Sequence, residues 1–414
     1  MINLTPLNLS SRSGGKLLDS IASLASAELV ALAGRLTRVF SIASPFAPGL
    51  HCIGGEIAID ADPTAASGVA RLSVAGNGET LEAALVSCLG EAADFLSQFE
   101  RPGDIGAGVA RGDRTNFVTD GWIAEAMSHA DRTIDWINAS DASTGGIALL
   151  PADLCLRRPQ TRRVIEPVGA LSSGAAAGPS FETAALRAVL ELCERDAAAM
   201  WWLGGCRPKR FALEHPATKT GAELIERLRQ GEAARRTMLL DITTDTGIPV
   251  VAAVSVDHDG RGMACGLASR LTASDAARAA VLEMCQMEMA APVAEAKRAE
   301  GGDAVLNEAD RRHLRRATFA AADCELLHPR DTSRHATSGP AAALGLKGLT
   351  GHLRDRGIRL FLVDHTRQDI GVAVARAVSP DLQPFSAAVS TKRFAQARRD
   401  NEGSDIAGHE TPLL

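Results

Sequence analysis

The sequence contains no tyrosine, and its aromatic residues, eleven Phe and four Trp, amount to only 4% of 414 residues. The absence of tyrosine excludes a tyrosine nucleophile, a tyrosine proton donor and a tyrosine platform for stacking bases. Alanine-rich segments occupy the places that bulky anchors usually take, and such segments favour closely packed helices. We therefore expect a core in which small side chains allow the backbones to approach each other closely.

Charge and cysteine spacing exclude further classes of protein. The net charge is −6, so no basic field attracts nucleic acid. The eight cysteines never form a CxxC pair, which argues against a zinc cluster and against a disulfide scaffold. No run approaches the ~18 apolar residues of a membrane span, and Asp19 interrupts the signal-like segment 16–27. We expect a cytoplasmic protein with free thiols and neither a membrane nor a nucleic-acid partner.

Hydrophobic periodicity gives a first outline of the fold. It predicts long helices at residues 15–36, 79–98, 181–203 and 274–298. Strand patterns fall at residues 51–60, 67–74, 163–168, 238–242, 248–256, 263–268, 359–363 and 371–377. Because helices and strands interleave, the expected fold class is α/β of the α+β type, with mixed sheets and packed helices.

Three of the predicted helices share an unusual feature, a single polar stripe on a surface that is otherwise rich in Ala and Leu. The stripes comprise Ser87, Glu91, Asp94 and Gln98 on one helix, Arg187, Glu191 and Glu194 on the next, and Glu283 and Gln286 on the last. Buried acids are costly unless cations meet them. Since Mg²⁺ bridges carboxylates to the phosphates of nucleotides, the stripes predict a magnesium–nucleotide site built on three helices.

The segment SSGAAAGPSFETAALRAVLELCERDAAAMWWLGG (172–205) resembles the ATP-binding motif of the YcaO family, with its Glu-x-x-Glu-Arg-Asp followed by an aromatic pair. SxxxExxD at 87–94, ExxQ at 283–286 and the late segment 364–382 support the resemblance. It implies a YcaO-like fold and an enzyme that uses ATP and Mg²⁺. In the family, a nucleophile attacks a backbone amide of a precursor peptide, and ATP phosphorylates the former amide oxygen before phosphate leaves.

The resemblance also implies roles for individual residues. Acids that match the metal site are Glu91, Asp94, Glu182, Glu191 and Glu194. Positions that match the nucleotide site are Ser87, Gly76, Gly78, Glu283, Gln286 and Arg195. Arg195 and Glu191 carry the catalytic assignment, with Arg195 matching a phosphate-contacting arginine. Glu182 precedes by one residue the position, here Thr183, at which the family often has Glu.

The function implied is that of a cyclodehydratase catalytic subunit, which forms azolines from Cys, Ser or Thr of the precursor. Thioamide formation by the same ATP chemistry and a non-catalytic scaffold that binds peptide or partner remain alternatives. Two departures bear on the choice. Gly76-Asn77-Gly78 stands where the family commonly has Gly-Lys-Gly, and residues 410–414 contain one proline instead of a Pro-x-Pro-x-Pro tail.

The organisation of the chain suggests partners. We divide it into an accessory region at residues 1–64, with a possible partner contact, and a YcaO-like ATP-binding catalytic domain at residues 65–414. So short an accessory region does not provide a leader-binding domain, and we expect a separate E1-like or leader-binding protein. A flavin dehydrogenase and a homodimer within the complex are further candidate partners.

The remaining candidates for chemistry are weaker. The histidines show no HExxH spacing, which argues against a zinc hydrolase, and His365 at a strand end is the most site-like of the ten. Cys88, Cys193 and Cys285 lie within the three striped helices, where packing is the favoured role. The general base of the reaction stays unassigned.

Overall fold

Three sheets organise the chain in the computed structural model, which describes residues 3–59, 70–105, 116–332 and 345–401. The first sheet contains, in spatial order, β1 (Asn3–Pro6), β2 (Leu36–Ala43), β3 (His51–Ile59) and β4 (Ala70–Gly78). The second contains β11 (Ala264–Ser269), β10 (Val250–Asp257), β9 (Arg235–Asp241), β8 (Lys209–Arg210) and β12 (Asp331–Thr332). The third contains β6 (Ile147–Pro151), β5 (Trp136–Asp141), β13 (Phe361–Asp364), β14 (Ala373–Val378) and β7 (Ala175–Gly178).

Helices cover these sheets. In chain order they are α1 (Arg12–Ile21), α2 (Ala27–Ala31), α3 (Leu81–Ser97), α4 (Gly121–Met127), α5 (Phe181–Trp202), α6 (Pro216–Arg229), α7 (Ala273–Met287), α8 (Ala290–Gly301), α9 (Glu308–Ala317), α10 (Gly345–Arg354) and α11 (Lys392–Asp400). The strands pair antiparallel except β8 and β12, which run parallel and make the second sheet mixed. The predicted α+β class with mixed sheets and packed helices is confirmed.

One strand–helix unit occurs three times, as β4–α3, β7–α5 and β11–α7. In each unit a Thr or Ser caps the helix, and its side chain accepts a hydrogen bond from the third backbone N–H beyond it; the caps are Thr80, Ser180 and Thr272. Each helix packs on the strand that leads into it and also lies beside the strand of the next unit, so that α3 contacts β7, α5 contacts β11 and α7 contacts β4. The three units therefore form a closed ring.

Small residues allow the strands and helices of the ring to pack closely. The residue four positions beyond the cap is a fully buried alanine in all three helices: Ala84, Ala184 and Ala276. A Cβ atom on Gly76 would lie 2.2 Å from the carbonyl oxygen of Ala84, and one on Gly266 would lie 2.2 Å from that of Ala280. The alanine-rich composition is thus a consequence of the backbone separations in the ring.

Two of the predicted helices are shorter than expected. The predicted helix at 15–36 is divided, because Ser26 accepts a hydrogen bond from the backbone N–H of Leu29 and starts α2 as a separate helix. The predicted helix at 274–298 is divided between α7 and α8. Pro292 lies in the first turn of α8 and has no N–H to continue the hydrogen bonding of α7.

The predicted strand at 163–168 is wrong. The backbone N–H groups of Val164 and Ile165 donate instead to Oδ2 of Asp153, at 2.8 and 2.9 Å. This buried carboxylate takes the place of a neighbouring strand. The domain boundary at 64–65 and the tail at 410–414 lie outside the described residues, so both predictions stand as they were made.

Cysteine state and helix hydropathy agree with the sequence expectations. All eight cysteines are free thiols, and seven of them are buried. Among the helices that the structure describes, none combines the length and the apolar character needed to cross a membrane.

Replacement of Gly76 by alanine tests the close approach of β4 to α3. We expect Gly76→Ala to lower the free energy of unfolding by about 3 kcal/mol, because the new Cβ meets backbone atoms that cannot rotate away. Gly90→Ala, on the helix α3 that packs against β4, is the matched control. No atom outside the neighbouring backbone of α3 lies within 4 Å of its added Cβ. We therefore expect the free energy of unfolding to rise by about 0.5–1 kcal/mol, because alanine favours the helix over glycine. Urea unfolding measures both variants, and equal changes in their free energies of unfolding would contradict this account.

Candidate active site

The polar stripes occupy equivalent positions in the three units. A glutamate lies eleven residues beyond each cap, from Thr80 to Glu91, from Ser180 to Glu191 and from Thr272 to Glu283. Fourteen residues beyond the caps lie Asp94, Glu194 and Gln286. The stripes are visible in the sequence alone. Their common distance from the capping residues becomes visible only when Thr80, Ser180 and Thr272 are aligned.

The guanidinium of Arg195 lies at the centre of the carboxylates. Its Nη2 donates to Oε1 of Glu191 at 3.3 Å, and its Nη1 is 3.6 Å from Oε1 of Glu194. Burial alone would lower the pKa of Arg195, but the charges of Glu194, Glu191 and Glu283 raise it above its ordinary value. Nε and Nη1 are buried and have no hydrogen-bond partner among the described residues.

The carboxylates around this arginine hold their protons more tightly than carboxylates in water. Burial raises the pKa of Glu191 to about 7, even though Arg195 opposes the shift. Burial and the charge of Glu194 raise the pKa of Glu283 to about 7, and burial raises that of Asp94 to about 6. The pKa values of Glu91 and Glu194 are raised for the same reason, the loss of solvent. Burial thus outweighs the arginine charges of Arg195, Arg270, Arg376 and Arg157 that act on these carboxylates.

Backbone N–H groups orient three of the acids. Glu91 accepts a 2.6 Å hydrogen bond from the N–H of Ala75, and Glu283 accepts one of 2.9 Å from Leu267. Both donors lie five residues before the cap of their unit. Glu194 accepts a hydrogen bond from the N–H of Ser269 at 3.2 Å, which belongs to the next unit of the ring. The ring thus fixes the direction in which these carboxylates point.

Two of the three junctions between units are closed by hydrogen bonds. At the first, Ser269 of β11 meets Glu194 of α5. At the second, the side-chain amide of Asn77 on β4 donates to Oε1 of Gln286 on α7. In both, the residue fourteen positions beyond one cap meets the residue three positions before the next cap.

The third junction, between α3 and β7, is open. The equivalent residues there, Asp94 and Ala177, both line a pocket of about 730 Å³. Oδ2 of Asp94 accepts from Gln98 at 3.1 Å, but Oδ1 is buried without a partner in the described part of the chain. Although α3 packs against β7, no hydrogen bond between the described residues joins Asp94 to Ala177, and a pocket of ligand size, lined by this partly unsatisfied carboxylate, lies beside the junction.

The structure brings most of the predicted site residues to this region. Ser87, Glu91 and Asp94 line the pocket, whereas Glu191, Glu194, Arg195 and Glu283 form the cluster behind it. Gln286 is held by Asn77. Gly76 and Gly78 have a packing role, since a Cβ on either would meet atoms of α3. Glu182 is exposed on the first turn of α5, about 13 Å along the helix from Glu191, and does not join the group.

Two arginines lie near the acids: Arg187, which the polar stripe of α5 already included, and Arg376, which the sequence patterns did not reveal. Arg187 lines the pocket, and its Nη1 donates to the carbonyl of Ala177 at 2.8 Å. Arg376 is buried on β14, where its charge acts on Asp94 and Glu191 and its Nη1 donates to the carbonyl of Leu171. A lone arginine in the apolar strand sequence AVARAV was a signal for a buried ionic partner.

His365 stays neutral in this environment. Burial, together with the charges of Arg376 and Arg367, places its pKa well below the usual value. Both ring nitrogens are buried and lack partners among the described residues. The general base is therefore not assigned to this histidine.

The donor set fits the two cofactors that the sequence predicts. Carboxylate oxygens are the ligands that Mg²⁺ prefers. Among the described residues, however, no three Asp, Glu, His or Cys side chains converge to form a ready-made metal site. Nε of Arg195 has no hydrogen-bond partner in the described part of the chain, and a guanidinium is suited to anionic oxygens such as those of a phosphate. The residues present thus have the chemistry for a cation and a phosphorylated ligand, without a preformed ligand shell.

Comparison with known proteins identifies the family. The model of the YcaO family, described as YcaO cyclodehydratase with ATP and Mg²⁺ binding, matches residues 75–383. The chain belongs to the YcaO family, as the sequence motifs indicated. Since the family is described by these two cofactors, the prediction of ATP and Mg²⁺ is confirmed at the level of the family.

Individual relatives agree with this assignment. An uncharacterized protein of Methanothermobacter thermautotrophicus is 27% identical over 351 residues, which cover 78% of this chain and 85% of the relative. The fold matches YcaO from Methanopyrus kandleri bound with AMPPCP and Mg²⁺, with a TM-score of 0.63, 16% identity and coverage of 91% of this chain and 94% of that one.

Two further structures have a similar fold. One is a heterocyclase in complex with substrate and cofactor, with a TM-score of 0.66 at 20% identity over 94% of this chain. The chain spans only 56% of the length of that heterocyclase. The other is the E. coli microcin synthetase McbBCD complex, with a TM-score of 0.53 at 15% identity, over 80% of this chain and 84% of that one.

The raised pKa values predict an unusual pH dependence of stability. Glu191 and Glu283 have pKa values of about 7 in the folded protein, against about 4.3 when unfolded. Between about pH 6.5 and pH 8 the folded state binds more protons, so its free energy of unfolding falls as pH rises. Neutral His365 has the opposite effect, because it is protonated in the unfolded chain near and below pH 6.5, but this effect fades by about pH 7.5 and is smaller than that of the two carboxylates. Mg²⁺ should restore the loss at the upper end, because it binds the ionised carboxylates.

Thermal unfolding across this pH range, with and without Mg²⁺, checks the expectation. Glu191→Gln should reduce the slope in the absence of Mg²⁺, whereas Glu223→Gln on the exposed face of α6 should leave it unchanged. A metal-free protein whose stability increases from pH 6.5 to 8 would contradict the burial of these acids.

Proposed function

We propose that the protein is the ATP- and Mg²⁺-dependent catalytic subunit of a peptide backbone cyclodehydratase, which forms azolines from Cys, Ser or Thr of a ribosomal precursor peptide. The observation that carries the proposal is the carboxylate cluster around Arg195, next to the open α3–β7 junction. Membership in the YcaO family supports the same function. A scaffold without chemistry would have no use for several desolvated acids with raised pKa values at one place.

The residues of the site take complementary roles in this proposal. Glu91 and Asp94 hold Mg²⁺ from the α3 side, and Glu191 and Glu194 hold it from the α5 side. Ser87, Glu283 and Gln286 complete the nucleotide site. ATP supplies, when bound, the phosphoryl group that converts the amide oxygen into a leaving group, and Mg²⁺ offsets the phosphate charge.

Arg195 has the role of stabilising negative charge in this proposal. Its guanidinium is fixed by a hydrogen bond from Nη2 to Glu191 and an ion pair between Nη1 and Glu194, while Nε has no hydrogen-bond partner among the described residues. Because these donors are oriented before a ligand arrives, no reorganisation is needed as charge develops on the transferring group. The buried setting strengthens these interactions and keeps water from competing.

We propose in addition that the subunit works in the cytoplasm within a complex. An E1-like or leader-binding protein would present the precursor peptide, and a flavin dehydrogenase would oxidise the azolines. The similarity in fold to the E. coli microcin synthetase McbBCD complex supports work within a complex.

Peptide-dependent ATP turnover tests the role of Glu191. We expect Glu191→Gln to lower the rate by about 100-fold or more, since one ligand of the cation and the partner of Arg195 are lost together. Glu223→Gln, which changes the same chemical group on an exposed helix face, serves as the control. Full activity of Glu191→Gln would remove this residue from the mechanism.

The mass of the precursor identifies the product. The purified subunit is incubated with ATP, Mg²⁺, its partner and the Cys/Ser/Thr-rich peptide encoded beside its gene. Loss of one water per modified residue, dependent on ATP, is the expected result. Replacement of oxygen by sulfur, with a sulfur donor present, would establish thioamide formation instead. An unchanged mass without peptide-dependent ATP turnover would leave the scaffold as the function.

A further inference from the structure

The position of the Arg195 guanidinium is set by the helix that carries it. This guanidinium is hydrogen-bonded to Glu191 and ion-paired with Glu194, and both acids lie on α5 itself. With about 100° of rotation per residue, the three side chains cover an arc of about 100° on one face of the helix. Where the guanidinium lies relative to α3 and α7 therefore depends on how this turn of α5 is held.

Asp196 holds the opposite face of the same turn. Its side chain projects about 150° from the middle of that arc, and it is fully buried. Arg393 of α11 donates to both of its carboxylate oxygens, from Nη1 at 2.7 Å and from Nη2 at 3.0 Å. Burial raises the pKa of Asp196, and the charge of Arg393 opposes this shift. The turn that carries Arg195 is thus tied from behind by a bidentate ion pair.

A buried glutamine adds a second tie between this turn and α11. The backbone N–H of Gln383 donates to Oδ1 of Asp196 at 2.8 Å, and Oε1 of Gln383 accepts from the N–H of Thr391, also at 2.8 Å. Thr391 is the capping residue of α11. Arg393 is held on its other side by Asp245, to which its Nε donates at 3.0 Å. A shift of α11 would therefore be transmitted to Asp196.

We propose that Arg393 is a positioning residue for the reaction: through Asp196 it holds the turn of α5 that presents Arg195 to the transferring phosphoryl group. The inference rests on the proposed function, since that function assigns Arg195 to the phosphoryl group. α11 lies beyond residues 75–383, which match the family model. An exposed ion pair would contribute little, whereas a bidentate pair with a fully buried carboxylate favours one defined arrangement of the two helices.

Steady-state kinetics of peptide-dependent ATP turnover test the positioning role. Arg393→Met should lower kcat about tenfold or more with little change in the KM for ATP, because a displacement of about 1 Å at a reacting group costs up to about 100-fold. It should also lower the Tm, since Asp196 is left buried and unpaired. Arg393→Lys keeps the charge without the bidentate geometry and should give an intermediate kcat. Arg398→Met, at an exposed position of the same helix, is the matched control.

The double variant Asp196→Asn/Arg393→Met distinguishes positioning from a purely structural ion pair. It removes both charges together, and the asparagine can still accept the hydrogen bond from Gln383, so its Tm should return close to that of the wild type. Because the tie to α11 stays broken, kcat should remain as low as in Arg393→Met. A kcat that recovers together with the Tm would overturn the proposal.

Hydrogen exchange of the ligand-free protein gives a readout that does not depend on turnover. Loss of Arg393 should speed exchange at the amides of residues 192–198 and leave residues 84–94 of α3 unchanged. The end of α5 should stay folded, since Trp201 remains anchored by its hydrogen bond to the carbonyl of Leu326. Unchanged exchange in α5 would overturn the proposal.

The same kinetic measurements separate this proposal from the proposed function. A wild-type protein without peptide-dependent ATP turnover would overturn the proposed function and, with it, the role of Arg393 in the reaction. Wild-type turnover together with an unchanged kcat in Arg393→Met would overturn the positioning role alone.

Discussion

The arrangement of the molecule depends on one electrostatic constraint, the gathering of Glu191, Glu194 and Glu283 around the guanidinium of Arg195, with Glu91 and Asp94 in the adjoining pocket. Taking these carboxylates out of water is unfavourable, as the raised pKa values of Glu191, Glu283 and Asp94 show. The fold supports them with backbone N–H donors from neighbouring strands. Stability is thus partly given up for a site that is prepared to receive a cation.

The ring of strand–helix units explains how one site can use side chains that are nearly two hundred residues apart in sequence, from Glu91 to Glu283. Each unit repeats the same cap, the same buried alanine and the same position for its acid. The units differ at the fourteenth residue, where an aspartate, a glutamate and a glutamine give the junctions different properties. The repeated residues give the three units the same geometry. The different residues at the fourteenth position leave the α3–β7 junction without the hydrogen bond that closes the other two.

Sequence patterns were sufficient for the parts that depend on local interactions. The helices near 79–98 and 181–203 were predicted closely, because apolar periodicity and a capping residue define them within one segment. The false strand at 163–168 and the unseen contact of Asn77 with Gln286 both involve partners that are distant or unconventional. Leu24, Ala25, Ser26 and Leu29 also line the pocket, and nothing in their own sequence reveals that they lie beside it.

The contact between Asn77 and Gln286 has a consequence for how the molecule responds to its surroundings. Both groups are uncharged amides, so neither proton concentration nor ionic strength weakens the tie between β4 and α7. The other two junctions, by contrast, contain titratable groups, since Glu194 accepts the hydrogen bond from Ser269 and Asp94 lines the α3–β7 junction. Changes of pH therefore act on these two junctions, while the contact between β4 and α7 keeps its register.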